Sequence, residues 1–185
     1  RPGRERPLRL AARERVESPT WDCLTVLLLW LSSVVLVPFP LDRGTPSPSE
    51  RIHRLCARFL SRPGKERDAA SIVLGRLYAR EECELFFSAF LQDAEQATAS
   101  LVPTGVLQTL CAFVKQADAS LIRAHYDAML RVIAHLRTVD TRNMLVDRYA
   151  IKLDGRLALH DPRDAPGGRL LHAQAAAESR VRGLG

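Results

Sequence analysis

The segment from Trp21 to Phe39 is almost wholly apolar and closes on a proline, and it constrains the fold more than any other part of the chain. Its uninterrupted apolar part runs only from Cys23 to Val37. A membrane-spanning helix requires roughly 20 apolar residues, whereas a shorter helix of this character is typical of a protein interior. The segment therefore predicts a helix over Trp21–Val37 that is buried on every side by neighbouring helices.

The net charge of +6 does not form a basic patch. Residues 1–20 carry six Arg against three Glu, residues 160–185 contribute +1, and the long stretch between them holds only +2. Aromatic residues do not alternate with basic ones, as a platform for stacking nucleic-acid bases would require. This distribution argues against a nucleic-acid partner.

The basic start followed by an apolar run imitates a secretory signal peptide, but no small-x-small cleavage site follows it. Four cysteines, Cys23, Cys56, Cys83 and Cys111, lie far apart in the chain and form no Cys-x-x-Cys pair. This spacing predicts free thiols that pack as small hydrophobic side chains. It argues against a zinc site and a disulfide framework, and it fits a reducing, cytosolic compartment.

Apolar residues recur at helical spacing throughout the chain after the proline-rich stretch, and no strand alternation appears. The predicted helices are Glu50–Ser61, Lys65–Ala79, Glu81–Ala99, a helix opened by Pro103, Ser120–Thr138, and a last helix capped by Asp140 or Thr141. The helices at Trp21, Lys65, Pro103 and Thr141 begin at intervals of about 40 residues, the period of HEAT or armadillo units, with one helix in each interval. The predicted fold class is therefore all-α, an α-solenoid of HEAT/armadillo-like antiparallel helix pairs.

This periodicity divides the chain into three parts. Residues 1–20 form a basic leader expected to be poorly ordered, residues 21–159 form the HEAT-like helical repeats, and residues 160–185 form a tail expected to be frayed or disordered. The pattern Arg67-x-x-Ala70-x-x-x-Leu74-x-x-Leu77 is similar to the second helix of a HEAT repeat. In that phase the helix at Trp21 is also a second helix, and the chain would start within a repeat.

No residues show the spacing of a catalytic or metal site. No histidine has a partner in a His-x-x-x-His or His-Glu-x-x-His pattern, and His125 and His135 are three turns apart on one predicted helix. Glu81, Glu82 and Glu84 stand at a helix start, where the helix dipole favours carboxylates. A glycine-rich phosphate loop and a nucleophile elbow are both missing. We expect no enzymatic activity, no catalytic residue, no metal site and no cofactor, and the sequence assigns no residue to partner binding.

Four stretches carry a resemblance to known proteins, in the matching order. They are Leu27–Phe39, which reads LLLWLSSVVLVPF, then Lys65–Arg80, Gly105–Lys115 and Lys152–Leu159. The set resembles the N-terminal part of the tubulin-folding cofactor D family, whose members are α-solenoids of HEAT-like repeats. The resemblance implies a cytoplasmic protein of the microtubule cytoskeleton that holds β-tubulin during assembly of the α/β-tubulin heterodimer.

The partners that the resemblance implies are β-tubulin, tubulin-folding cofactors C and E, and a small Arf-like GTPase. It also implies a contribution to GTPase activation within the cofactor complex. No residue here is required to act as an arginine finger, and Arg67 and Arg76 are candidate surface arginines only because they lie on a helix expected to reach the surface. The alternative hypothesis is a generic HEAT/armadillo adaptor, for which a ladder of Asn and Trp residues is expected and is not seen. A further alternative, a protein anchored by residues 23–37, predicts membrane association that resists carbonate extraction.

Overall fold

Helices form where the apolar residues recur at helical spacing. The computed structural model describes residues 20–96, 102–140 and 142–162. Its helices are α1 (Trp21–Val34), α2 (Pro48–Leu60), α3 (Lys65–Tyr78), α4 (Glu84–Gln96), α5 (Pro103–Gln116), α6 (Ala119–Ala124), α7 (Tyr126–Val139) and α8 (Met144–Leu157), with 3-10 turns at Glu81–Cys83 and Ala158–His160. No strand occurs in these three ranges, and the all-α prediction is confirmed. Residues 1–19 of the predicted leader and 163–185 of the predicted tail lie outside the described residues.

Two local predictions were wrong. The last helix is capped by Asn143, whose side-chain oxygen accepts from the Leu145 N–H at 3.0 Å. Asp140 instead ends α7, where its N–H bonds to Leu136, and its carboxylate accepts from Asn143 Nδ2 at 2.9 Å. Thr141 lies outside the described residues. The predicted helix Ser120–Thr138 is interrupted at His125, whose ring packs edge-on against Phe87 with 5.0 Å between centroids.

The helices form two layers. Helices α1, α3, α5 and α8 pack side by side in that order, and α2, α4 and α7 cover them, with α2 on α3 and α7 on α8. Helix α4 meets α5 through Phe87 stacked on Phe113, 4.0 Å between centroids. The helices of the first layer begin about 40 residues apart along the chain, the interval expected of armadillo units. The predicted solenoid is therefore present as three helix pairs preceded by α1.

The prediction that α1 is buried on every side was wrong. Leu28 is 4% exposed and lies with Ser32 on the side that packs against α3, but Trp30 is 69% and Val26 65% exposed on the opposite side. The reason is the position of α1, which is the first helix of its layer among the described residues. An apolar surface on both sides is typical of a helix inside a repeat array, where each repeat packs between two neighbours. Within the described ranges, no helix combines the length and the apolar character that crossing a bilayer requires.

Gly75 allows α3 and α5 to approach closely. A Cβ placed on Gly75 would lie 2.5 Å from the Cβ of Ala112 and 2.7 Å from the backbone nitrogen of Phe113. A Cβ placed on Gly155 in α8 has no atom within 4 Å. Because the obstacle at Gly75 includes backbone, a side chain there would force two packed helices apart.

We expect Gly75→Ala to lower the free energy of unfolding by about 1–3 kcal/mol, the usual cost of overpacking. Gly155→Ala is the matched control, since the same change in an open helical position should raise it by about 0.5–1 kcal/mol. Denaturant unfolding followed by circular dichroism measures both. Equal effects of the two substitutions would contradict the close contact of α3 and α5.

Candidate interaction surface

Arg80 fastens the end of α1 to the segment that follows α3. Its guanidinium donates to the backbone carbonyls of Val35 and Val37, both at 2.8 Å, and of Phe39 at 2.6 Å, while its Nε donates to Glu82 at 2.7 Å. The last carbonyls of a helix and those just beyond it have no partner within the helix. The fixed fork of an arginine satisfies several of them at once. One side chain therefore holds the whole Pro-Phe turn that the sequence singled out.

Glu82 completes this set of hydrogen bonds, and we refer to Arg80, Glu82 and the backbone groups that they bind as the Arg80 clasp. The Oε1 of Glu82 accepts from Arg80 and, at 3.4 Å, from the Leu41 N–H. Burial by itself raises the pKa of Glu82, but hydrogen bonds from its own backbone N–H, from Arg80 and from Leu41 outweigh burial and hold the pKa below its ordinary value. The sequence assigned Glu82 only a favourable place in the helix dipole. Its role in the clasp depends on Leu41, 41 residues earlier in the chain.

Two arginines of α3 join the helices of the first layer. Arg76 donates to the backbone oxygen of Ser32 at 2.8 Å and to its hydroxyl at 2.9 Å, which ties α3 to α1. Arg67 donates to the side-chain oxygen of Gln108 at 3.1 Å, which ties α3 to α5. The structure thus places the two candidate surface arginines in partly buried bonds between helices.

Gln108 is the centre of a second set of hydrogen bonds between helices. Its amide nitrogen donates to Asp68 at 2.8 Å and to the Tyr149 hydroxyl at 2.9 Å, so that it connects α3, α5 and α8. Arg156 of α8 donates to the backbone oxygen of Cys111 in α5 at 2.6 Å. These bonds set the spacing of the first-layer helices from outside the apolar core.

A hollow of about 310 Å³ opens on this layer between α3, α5 and α8. Asp68, Gln108 and Tyr149 line it together with the cations Lys115, Lys152 and Arg156. Three cations against one carboxylate give the surface a positive balance. Such a surface attracts acidic patches on a protein partner, and long-range charge complementarity chiefly accelerates encounter. We refer to it as the first-layer surface.

The described residues contain no candidate metal centre. Among them, no group of three His, Cys, Asp or Glu side chains is arranged to hold a metal ion. His125 Nε2 is buried 3.5 Å from a Glu84 oxygen without making a hydrogen bond. Glu82 belongs to the clasp, and the helix predicted to carry both His125 and His135 is broken.

The cysteines are free thiols, as predicted, and three of them are buried. Burial raises the pKa of Cys56 to about 12. It is also the main cause that raises the pKa of Cys83 to about 11. These thiols stay protonated at neutral pH and are poor nucleophiles. Cys23 on α1 is exposed.

His53 and Tyr78 form a partly buried polar pair between α2 and α3. The Tyr78 hydroxyl lies 2.9 Å from His53 Nδ1. Burial, with smaller contributions from nearby thiols and Asp93, holds the pKa of Tyr78 well above its ordinary value, so the hydroxyl stays protonated. Burial also lowers the pKa of His53, although Asp93 opposes the effect and Arg54 adds to it. The bond therefore joins a phenol and a neutral imidazole, and the His53 tautomer decides which of the two donates.

We expect Arg80→Ala to lower the free energy of unfolding by about 2 kcal/mol or more, because it leaves carbonyls and a carboxylate without their donor. Arg80→Lys should restore only part of this loss, since an ammonium cannot reproduce the fork. Arg131→Ala, which removes an exposed ion pair with Glu95, is the control and should cost less than about 1 kcal/mol. Denaturant unfolding of the three variants tests the clasp, and an Arg80→Ala effect no larger than the control would contradict it.

The lowered pKa of His53 predicts a pH effect on stability. Below about pH 6.5 the unfolded chain binds a proton at His53 that the folded chain does not, so stability should fall as pH drops from there toward the folded pKa. His53→Gln keeps an acceptor for Tyr78 but cannot be protonated, and should flatten this part of the profile. His160→Gln is the control. Thermal melts across the range measure the effect, and an unchanged slope in His53→Gln would refute it.

Comparison with known proteins identifies the family. Residues 5–98, about half of the chain, match the family described as tubulin-specific chaperone D-like, ARM repeat. The chain is 29% identical over 101 residues to a protein named tubulin-folding cofactor D from Schizosaccharomyces pombe, a match that covers 52% of this chain and 9% of that protein. No solved structure matches the chain.

The matched residues 5–98 contain the first two stretches on which the resemblance was based, Leu27–Phe39 and Lys65–Arg80. The other two, Gly105–Lys115 and Lys152–Leu159, lie beyond them. The matched part includes α1 to α4 and therefore the Arg80 clasp. From this match and the stacked helix pairs, we conclude that the chain belongs to the tubulin-specific chaperone D-like family of armadillo-repeat proteins.

Proposed function

We propose that this chain acts as a non-catalytic segment of a tubulin-folding cofactor, which binds and holds β-tubulin during assembly of the α/β-tubulin heterodimer. The family match over residues 5–98 carries the proposal, and the 29% identity to a tubulin-folding cofactor supports it. The chain spans 9% of the length of that relative. The match favours this role over that of a generic adaptor.

The proposed mechanism is holding by an extended surface. Stacked helix pairs present a continuous face to a partner, because each repeat adds its own strip of surface. The ties from Arg67, Arg76 and Arg156 keep the strips in register, so the surface is ordered before the partner arrives. Binding to a surface that is already ordered costs less conformational entropy. Lys115 and Lys152 on the first-layer surface supply the charge that attracts an acidic patch of β-tubulin.

The proposed role includes the assembly in which such a cofactor works. Tubulin-folding cofactors C and E and a small Arf-like GTPase are the further partners, in the cytoplasm and at the microtubule cytoskeleton. The contribution to GTPase activation is made within this complex. Since Arg67 and Arg76 are engaged between helices, the segment contributes by positioning β-tubulin rather than by inserting either arginine into a nucleotide site.

Removal of residues 21–159 from the cofactor that carries them should abolish capture of β-tubulin in a pull-down. Removal of residues 163–185 is the control and should leave capture unchanged. Undiminished capture after the larger deletion would refute a role of this segment in holding β-tubulin.

Surface substitutions make the same test without disturbing the core. Lys115 and Lys152 are exposed, and we expect Lys115→Glu with Lys152→Glu to weaken capture about tenfold. Arg123→Glu with Arg142→Glu changes the net charge equally at exposed positions away from the first-layer surface. If both double variants lose β-tubulin capture equally, the effect comes from overall charge, and specific binding by this surface is contradicted.

A further inference from the structure

Helix α2 carries a stripe of arginines on its exposed side. Arg51, Arg54 and Arg58 are three and four positions apart, so they lie along one side of the helix. Arg54 forms an ion pair with Glu50. Among the described residues, neither Arg51 nor Arg58 has an ion-pair partner. Arg51 and Arg58 therefore present charge that no carboxylate of the described residues neutralises.

The stripe borders an apolar hollow of about 500 Å³ between α1 and α2. Its apolar lining consists of Leu31 of α1 and of Pro48, Ile52 and Leu55 of α2, and none of the described carboxylates lines it. Leu55 is 46% exposed although arginines flank it along the helix. Leu27, one turn before Leu31 on α1, is also exposed and continues the apolar surface. Apolar side chains left open inside a rim of charge are typical of a protein-binding surface.

The stacking pattern indicates that a helix fills this hollow. In the first layer, α3, α5 and α8 each pack against a preceding helix of the second layer, namely α2, α4 and α7. In the described part of the chain, α1 has no such helix, and its open side carries Val26 and Trp30. A helix that packed on α1 as α2 packs on α3 would lie beside α2 and would meet the arginine stripe.

The arginines around the hollow indicate that the helix bound there is acidic. Residues 1–20 carry six Arg against three Glu, which is the wrong sign to meet arginines. We propose that this hollow binds one acidic amphipathic helix of a protein partner. Its carboxylates pair with Arg51 and Arg58, and its apolar side chains cover Leu31, Ile52 and Leu55. This site is distinct from the first-layer surface and does not rest on the proposed handling of tubulin.

Other anionic ligands fit the hollow less well. The three arginines span about two turns of helix, roughly 10 Å, which is a short track for a nucleic-acid backbone. A flat anionic membrane would meet the arginines but leave the hollow between the two helices unfilled. An amphipathic helix in an apolar groove uses both features, the charged rim and the apolar floor.

The test uses the whole chain described above and a fluorescently labelled synthetic peptide rich in Glu, with Leu residues at helical spacing. We expect saturable binding in fluorescence anisotropy and a rise in Tm when the peptide is present. Arg51→Glu with Arg58→Glu should weaken binding about tenfold or more, since two exposed attractions become repulsions. The same peptide with Gln in place of Leu should also bind about tenfold more weakly, because it cannot fill the hollow.

Arg123→Glu with Arg142→Glu is the matched control and should change affinity by less than about twofold. Circular dichroism shows that each variant is folded before binding is measured. The proposal is overturned if the wild-type chain does not bind the peptide, if both double variants lose affinity equally, or if the Gln peptide binds as well as the Leu peptide. Displacement of the peptide by inorganic phosphate or by phosphatidylserine vesicles at comparable affinity would also overturn it.

Discussion

The contact between α3 and α5 is the constraint on which the rest of the molecule depends. Helix α3 is flanked by α1 and α5 in its own layer and covered by α2, so its position sets that of three other helices. Because Gly75 has no side chain, α5 can pack at this short distance from α3. In a repeat array each unit contacts only its neighbours, and one loosened interface therefore separates the helices on its two sides.

Polar side chains complete what apolar packing begins. Apolar contacts are not directional, so they allow adjacent helices to slide, whereas a fork of hydrogen bonds from an arginine defines one register. Arg76, Arg67 and Arg156 bridge successive helices of the first layer, and Arg80 does the same for the turn after α1. Arg67 and Arg76, the candidate surface arginines, are thus part of the scaffold, whereas Arg51 and Arg58 of α2 form no ion pair within the described residues.

The proposed function rests on the family match and on two surfaces of the helix array. Buried thiols with raised pKa values and a neutral His53–Tyr78 pair contribute to the core. The first-layer surface and the hollow on α2 both present cations next to apolar or neutral polar groups. We propose acidic protein partners for both, and the two surfaces lie mainly on different helices. A repeat array can present several such surfaces, because each unit adds its own part of the exposed face.

The amino-acid pattern by itself determined the helices, the repeat period and the family, because apolar spacing and short motifs are local properties of the chain. Helix starts at Trp21, Lys65 and Pro103 were predictable on that basis. The tertiary structure alone decided that α1 is buried on one side, that the helix breaks at His125 and that Arg80 and Glu82 form a clasp. These features depend on groups that are far apart in the chain, or on which neighbour is present, and local spacing carries no information about either.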